Sequence, residues 1–131
     1  SNQSGIARKL FNYEDYFKVQ AQMQKLLAQK GVWLDAAYSS MYFEESDEAE
    51  LLKFPSQRKP RPGALFAETL DWDIDKEKSV FVGDNISDME MAKNMGLKQA
   101  YLIENPNLEK TNQKEIAYKF KKVKALTDIF G

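Results

Sequence analysis

Residues 79–103, SVFVGDNISDMEMAKNMGLKQAYLI, constrain the fold more than any other stretch of this chain. SVFVG (79–83) is a continuous apolar run of β-formers, the pattern of a buried strand in a parallel sheet. SDMEMAKNMG (87–96) predicts a helix, with Ser87 placed to cap it and Gly96 to end it. QAYLI (99–103) is the next strand. Strand, helix and strand in close succession imply a parallel sheet with helices on its faces.

The flanking residues extend that alternation. Residues 1–11 read as a loop. Asn12 is an N-cap candidate, and Glu14 and Asp15 follow in a first turn, where carboxylates suit the helix dipole. Tyr16, Val19, Met23, Leu26 and Leu27 fall close to one helical face, and Gly31 suits the position after a helix end, so a helix is expected at about 13–30. VWLDAAYSSM (32–41) is a strand candidate centred on 35–39. Residues 42–57 are acidic and then polar, and read as an excursion or flap. Pro60, Pro62 and Gly63 punctuate the chain, with Pro62 suited to the first turn of a helix over 63–71 that turns Leu65, Phe66 and Leu70 inward. After residue 103 come a polar connection, a lysine-rich stretch (114–124) read as a solvated face, and a short helix at 125–130. No internal repeat or low-complexity linker divides the chain, so residues 1–131 are expected to form one domain.

Composition narrows the chemistry. The 131 residues are 43% hydrophobic, which argues against disorder. Nineteen basic residues offset twenty acidic ones, and a net charge of −1 gives no electrostatic footing for nucleic acid. There is no cysteine, hence neither a disulfide nor a thiolate nucleophile, and no histidine, hence no Ser-His triad. The commonest zinc ligands are missing with them. No apolar run approaches the ~20 residues that span a bilayer, and no signal peptide is visible. The expectation is a cytoplasmic protein with no membrane partner.

Three stretches carry candidate chemistry. Ligands of open parallel sheets bind at the carboxyl ends of the strands. VFVGDNISD puts Gly83, Asp84, Asn85 and Asp88 there. Gly83 lets the backbone turn sharply or approach a ligand, and Asp84 would point into the crevice. One or two carboxylates with phosphate and water are the usual holder of Mg²⁺. Asp88, one helical turn on, could orient Asp84 or a metal-bound water. The competing interpretation is a polar turn and a helix cap. In QRKPRPG (57–63), Lys59 before a helix start suits a phosphate, and Arg58 could make bidentate contacts to a second phosphate or a sugar hydroxyl; the alternative is a solvated basic loop. Ser1, Asn2 and Gln3 could form a small anion cradle from a hydroxyl and successive backbone N–H groups, or be an ordinary polar terminus or tag remnant.

Together, SNQSGIAR, RKPRPG and VFVGDNISDMEMAKNMG resemble motifs II, III and IV of the haloacid dehalogenase-like (HAD) phosphatases, in that order. They look most like the branch containing histidinol-phosphate phosphatase and D-glycero-D-manno-heptose 1,7-bisphosphate phosphatase. The resemblance runs from residue 1 to about 104. It implies a Rossmann-like three-layer α/β/α fold on a parallel sheet, and a Mg²⁺-dependent phosphatase acting through an aspartyl-phosphate. Ser1 and the Asn2 backbone would bind the transferred phosphoryl group, and Lys59 would neutralise it. Asp84 would ligate Mg²⁺ with support from Asn85 and Asp88, and Arg58 would recognise the distal part of the substrate. The implied substrate is a sugar bisphosphate, heptose 1,7-bisphosphate before histidinol phosphate, on the bacterial cytoplasmic route to lipopolysaccharide.

Two departures qualify the resemblance. The branch often carries a zinc loop of Cys and His before the RKP motif; residues 42–57 have neither, so no zinc is expected. The family's Asp-x-Asp, which supplies nucleophile and general acid/base, lies upstream of the Ser-Asn motif, and this sequence holds nothing upstream of Ser1. The expectation is therefore a chain lacking its first strands, inactive alone, and partnered by the missing N-terminal fragment or by a second copy. Two other possibilities stand beside it: a non-catalytic HAD-derived module that binds a phosphorylated ligand or a partner, and an unrelated flavodoxin-like or receiver-like domain.

Overall fold

The computed structural model describes residues 1, 3–53, 73–106 and 115–130. The chain forms two compact units, Ser1–Arg58 and Lys59–Gly131.

In the first unit, helix α1 (Tyr13–Gln29) begins where the sequence places it. Asn12 Oδ1 accepts from the Asp15 amide at 2.9 Å, and Asp15 Oδ2 accepts from the Asn12 amide at 3.3 Å. This reciprocal pair satisfies amides that the first turn leaves without partners. The helix ends through Lys30 at Gly31, whose φ of +71° is a left-handed conformation that costs glycine little. Tyr16 fastens α1 to the following segment by donating its hydroxyl to Ser39 Oγ at 2.8 Å.

The strand expected at 35–39 does not form. Among the described residues, ladder hydrogen bonds reach only the end of the segment. The Ser1 nitrogen donates to the Tyr38 carbonyl at 2.9 Å, and Ser40 donates its amide to the Ser1 carbonyl and accepts at its own carbonyl from the Gln3 amide, both at 2.7 Å. Strands are stabilised by successive cross-strand pairs, and this segment is paired at one end only. Val32, Trp33 and Leu34 stay exposed accordingly. Within the excursion lies one short helix, α2 (Ala49–Leu52), which buries Leu51. The helix expected at 63–71 falls outside the described residues.

The second unit is built on a parallel sheet. Strands β1 (Val80–Gly83), β2 (Gln99–Ile103) and β3 (Lys121–Val123) lie in the order β1-β2-β3. Phe81 pairs with Ala100 and Gly83 with Leu102, while Tyr101 and Ile103 pair with Lys121 and Val123. Helix α3 (Ile86–Asn94) packs on β1 and β2, and a short α4 (Thr127–Phe130) follows β3. The core joins Ile86, Met89 and Ala92 of α3 to Leu97, Ala100 and Leu102. β2 alternates as period-2 geometry requires, with Ala100 and Leu102 buried and the residues between them less so.

Two details differ from expectation. β1 is half-buried, not buried, because it lies at one margin of the sheet among the described residues; Val80 is 38% exposed. The lysine-rich stretch contains β3. Ile116, Tyr118 and Phe120 alternate with the exposed Ala117 and Lys119 and pack against the core. Tyr118 donates its hydroxyl to the Leu97 carbonyl at 2.8 Å. β2 supplies backbone partners to β3, so Lys121 and Lys122 can sit in a strand while their long side chains keep the charge in water.

Candidate active site

The junction between β1 and α3 gathers three of the expected residues. Asp84 is exposed immediately beyond the carboxyl end of β1, Asn85 is the N-cap of α3, and Asp88 sits in its first turn. The cap belongs to Asn85 and not to Ser87 as expected: Asn85 Oδ1 accepts from the Ser87 amide at 3.2 Å. Asp88 closes the box from below. Its Oδ2 accepts from the amides of Asp84 at 3.2 Å and Asn85 at 3.1 Å, and the residue is only 2% exposed. A carboxylate buried at that depth needs such donors, and the positive end of the helix adds to them.

Gly83 makes room for this arrangement. A Cβ there would lie 2.3 Å from Asp88 Cβ and 2.5 Å from its Cγ and Oδ2. The glycine expected to permit a turn or a ligand is required by the Asp88 side chain beneath the strand tip. The signal for the true cap was in the sequence, because NISD repeats the N-x-x-D spacing of NYED at α1.

The two-amide capture is by itself a helix-start device. Asp128 accepts from the amides of Lys124 and Ala125, both at 3.0 Å, in the same way. Both devices lie just past the carboxyl end of a parallel strand, where α/β sheets hold ligands. What distinguishes Asp84–Asp88 is that its capturing carboxylate, Asp88, is buried, whereas Asp128 is exposed. Asp84 is the exposed carboxylate of the group, and Asp88 fixes its backbone. Among the described residues no three acidic side chains converge as a ready metal cage. A hard oxygen donor at a strand tip fits Mg²⁺, which typically takes one or two carboxylates and keeps water and phosphate in its shell.

In the first unit, Ser1 is exposed and held in place. Its nitrogen donates to the Tyr38 carbonyl at 2.9 Å, and its hydroxyl oxygen accepts from Gln3 Nε2 at 3.0 Å. The following residues curl into tight turns: the Arg8 amide donates to the Ser4 carbonyl at 3.0 Å, and the Leu10 amide to the Gly5 carbonyl at 2.9 Å. Ile6 and Ala7 are buried. Asn2, Arg58 and Lys59 lie outside the described residues. Among the described residues no helix is long and apolar enough to cross a membrane.

Comparison with known proteins gives the family. A family model described as HAD-hydrolase-like matches residues 56–123. A Mesorhizobium japonicum D-glycero-beta-D-manno-heptose-1,7-bisphosphate 7-phosphatase is 33% identical over 104 residues, covering 79% of this chain and 48% of that protein. The corresponding alpha-named phosphatase of Campylobacter jejuni is 29% identical over 130 residues, covering 99% of this chain and 68% of its own. A crystal structure of a B. bronchiseptica D,D-heptose 1.7-bisphosphate phosphatase with magnesium and phosphate superposes with a TM-score of 0.78 at 26% identity, covering 98% of this chain and 68% of that one. The chain spans about half the length of several of the curated relatives it matches.

Proposed function

The chain belongs to the HAD-like hydrolase family, and on that premise we propose that it carries the phosphate- and Mg²⁺-binding elements of a sugar-bisphosphate phosphatase, with residues 1–131 as part of its core domain. D-glycero-D-manno-heptose 1,7-bisphosphate is the first candidate substrate, because relatives along most of the chain are named for it. The observation that carries the proposal is the β1–α3 junction, where buried Asp88 holds the backbone on which exposed Asp84 sits.

In this proposal Asp84 holds Mg²⁺, while Asn85 and Asp88 keep the turn rigid. Bound Mg²⁺ supplies charge neutralisation at phosphoryl oxygens. The Ser1 hydroxyl and the Asn2 backbone grip the phosphoryl group that leaves. Lys59 offsets its developing charge, and Arg58 holds the phosphate that stays. The route is an aspartyl-phosphate, whose attacking aspartate we assign to none of these 131 residues. A bacterial cytoplasmic enzyme feeding lipopolysaccharide assembly is the setting this substrate implies.

Phosphate release from heptose 1,7-bisphosphate and from histidinol phosphate, with and without Mg²⁺, tests the proposal in the full-length protein. Asp84→Asn is expected to weaken Mg²⁺ binding and to cut turnover by about 10²-fold. Lys59→Ala is expected to slow turnover while leaving Mg²⁺ binding nearly intact. Wild-type rates for both variants at saturating Mg²⁺ would refute the site. Phosphate binding without any release would favour the non-catalytic module.

A further inference from the structure

We propose that Arg8 and Lys9 are positioning residues: they fasten the acidic loop of residues 42–52 to the turn after Ser1 by ring stacking and ion pairing, where zinc-bearing members of the resembled branch use a metal. Only the kinetic part of the test below rests on the proposed function.

The loop cannot be held as a zinc loop is. The sequence has neither cysteine nor histidine. The loop carries Glu44, Glu45, Asp47, Glu48 and Glu50, yet among the described residues no three acidic groups converge on a metal position. Two direct contacts join the loop to the turn. The Arg8 guanidinium lies 4.4 Å from the centroid of the Phe43 ring, within range of a cation–π contact. Lys9 Nζ lies 2.7 Å from Asp47 Oδ2. Two consecutive residues of the turn thus grip the loop at two points four residues apart.

The backbone on both sides is arranged for this. Lys9 has φ +57°, the left-handed region that non-glycine residues enter at a cost. Buried Ile6 and Ala7 anchor the turn from which both cations project. Between the two grips the loop bends on itself: the Ser46 amide donates to the Phe43 carbonyl at 3.0 Å, and the Glu48 amide to Ser46 Oγ at 3.2 Å. The pair answers to itself electrostatically. The hydrogen bond from Lys9 holds the Asp47 carboxyl below its usual range, and the same bond, followed by the charge of Asp47, pushes the Lys9 ammonium up.

An exposed ion pair is weak and screened by salt. The fastening is therefore sensitive to ionic strength and indifferent to chelators, the reverse of a zinc loop. Hydrogen exchange of the amides of residues 42–53 in the full-length protein reads it directly, with the α3 and β2 amides as a control for folding. In the wild type, 1 M NaCl is expected to speed loop exchange about threefold, and EDTA to leave it unchanged. Lys9→Asp and Asp47→Lys are each expected to speed it by a similar factor, and the double exchange to restore it. Aspartate tolerates left-handed backbone, so Lys9→Asp tests the charge and not the turn. Arg8→Ala is expected to loosen the loop about fivefold.

Loosening by EDTA, or a double variant no tighter than the singles, would overturn the fastening. In the active enzyme Lys9→Asp is expected to raise KM for the sugar bisphosphate with kcat kept within about twofold, and the double exchange to restore KM. A loosened loop with KM unmoved would overturn the positioning role and leave the phosphatase proposal standing. A wild type without phosphatase activity would remove that proposal while exchange still decides the fastening.

Discussion

At Gly83 a single missing methyl group decides the geometry of the candidate site. The buried Asp88 carboxylate occupies the space a Cβ would fill, and from there it accepts both amides that lead into α3. Gly83→Ala is therefore expected to displace Asp88, to lower stability by about 1–3 kcal/mol, and to weaken Mg²⁺ binding at Asp84 in the same variant. Thermal melts with and without Mg²⁺ check this. A variant with wild-type stability and metal response would show that the Asp88 contacts are dispensable. Nothing in the sequence distinguishes this glycine from one that merely turns the chain, because its demand comes from a side chain five residues later.

Elements form where local signals and tertiary partners agree. The boundaries of α1 were legible because capping at Asn12 and the left-handed Gly31 act within a few residues. β3 was not legible, because a KKV strand depends on the backbone partners that β2 offers. Its approach depends on Tyr118, whose hydroxyl bonds the Leu97 carbonyl. Burial raises the Tyr118 pKa above its ordinary value near 10. A group with a raised folded pKa stabilises the fold below its unfolded pKa and loses that contribution as pH rises through the folded value. Stability is thus expected to gain a downward step above about pH 10. Tyr118→Phe should remove the Tyr118 part of that step and cost about 0.5–1.5 kcal/mol at neutral pH. Chemical denaturation at pH 7 and pH 11 distinguishes the two chains. An equal alkaline loss in both would show that Tyr118 is not responsible.

Across the whole molecule, burial is uneven. α1 runs for seventeen residues without one buried side chain, whereas α3 buries five of its nine. Local opening is easiest where few apolar contacts must break. Amides of α1 are expected to exchange well before those of α3 and β2, in an order read by mass spectrometry of peptides from the full-length protein. Equal protection of α1 and α3 would show that α1 is covered in solution. The sequence by itself determined the parallel α/β pattern of residues 79–103, helices α1 and α3, the absence of thiol and imidazole side chains from these 131 residues, and the motif order behind the family resemblance. Each follows from period, capping or composition, which act over a few residues. Only the tertiary structure decided that 35–39 would not pair as a strand, that lysines would form one, that Asp88 would lie beneath Gly83, and that Arg8 and Lys9 would reach Phe43 and Asp47. Those outcomes depend on what stands opposite a residue in space, and neighbours in sequence do not specify it.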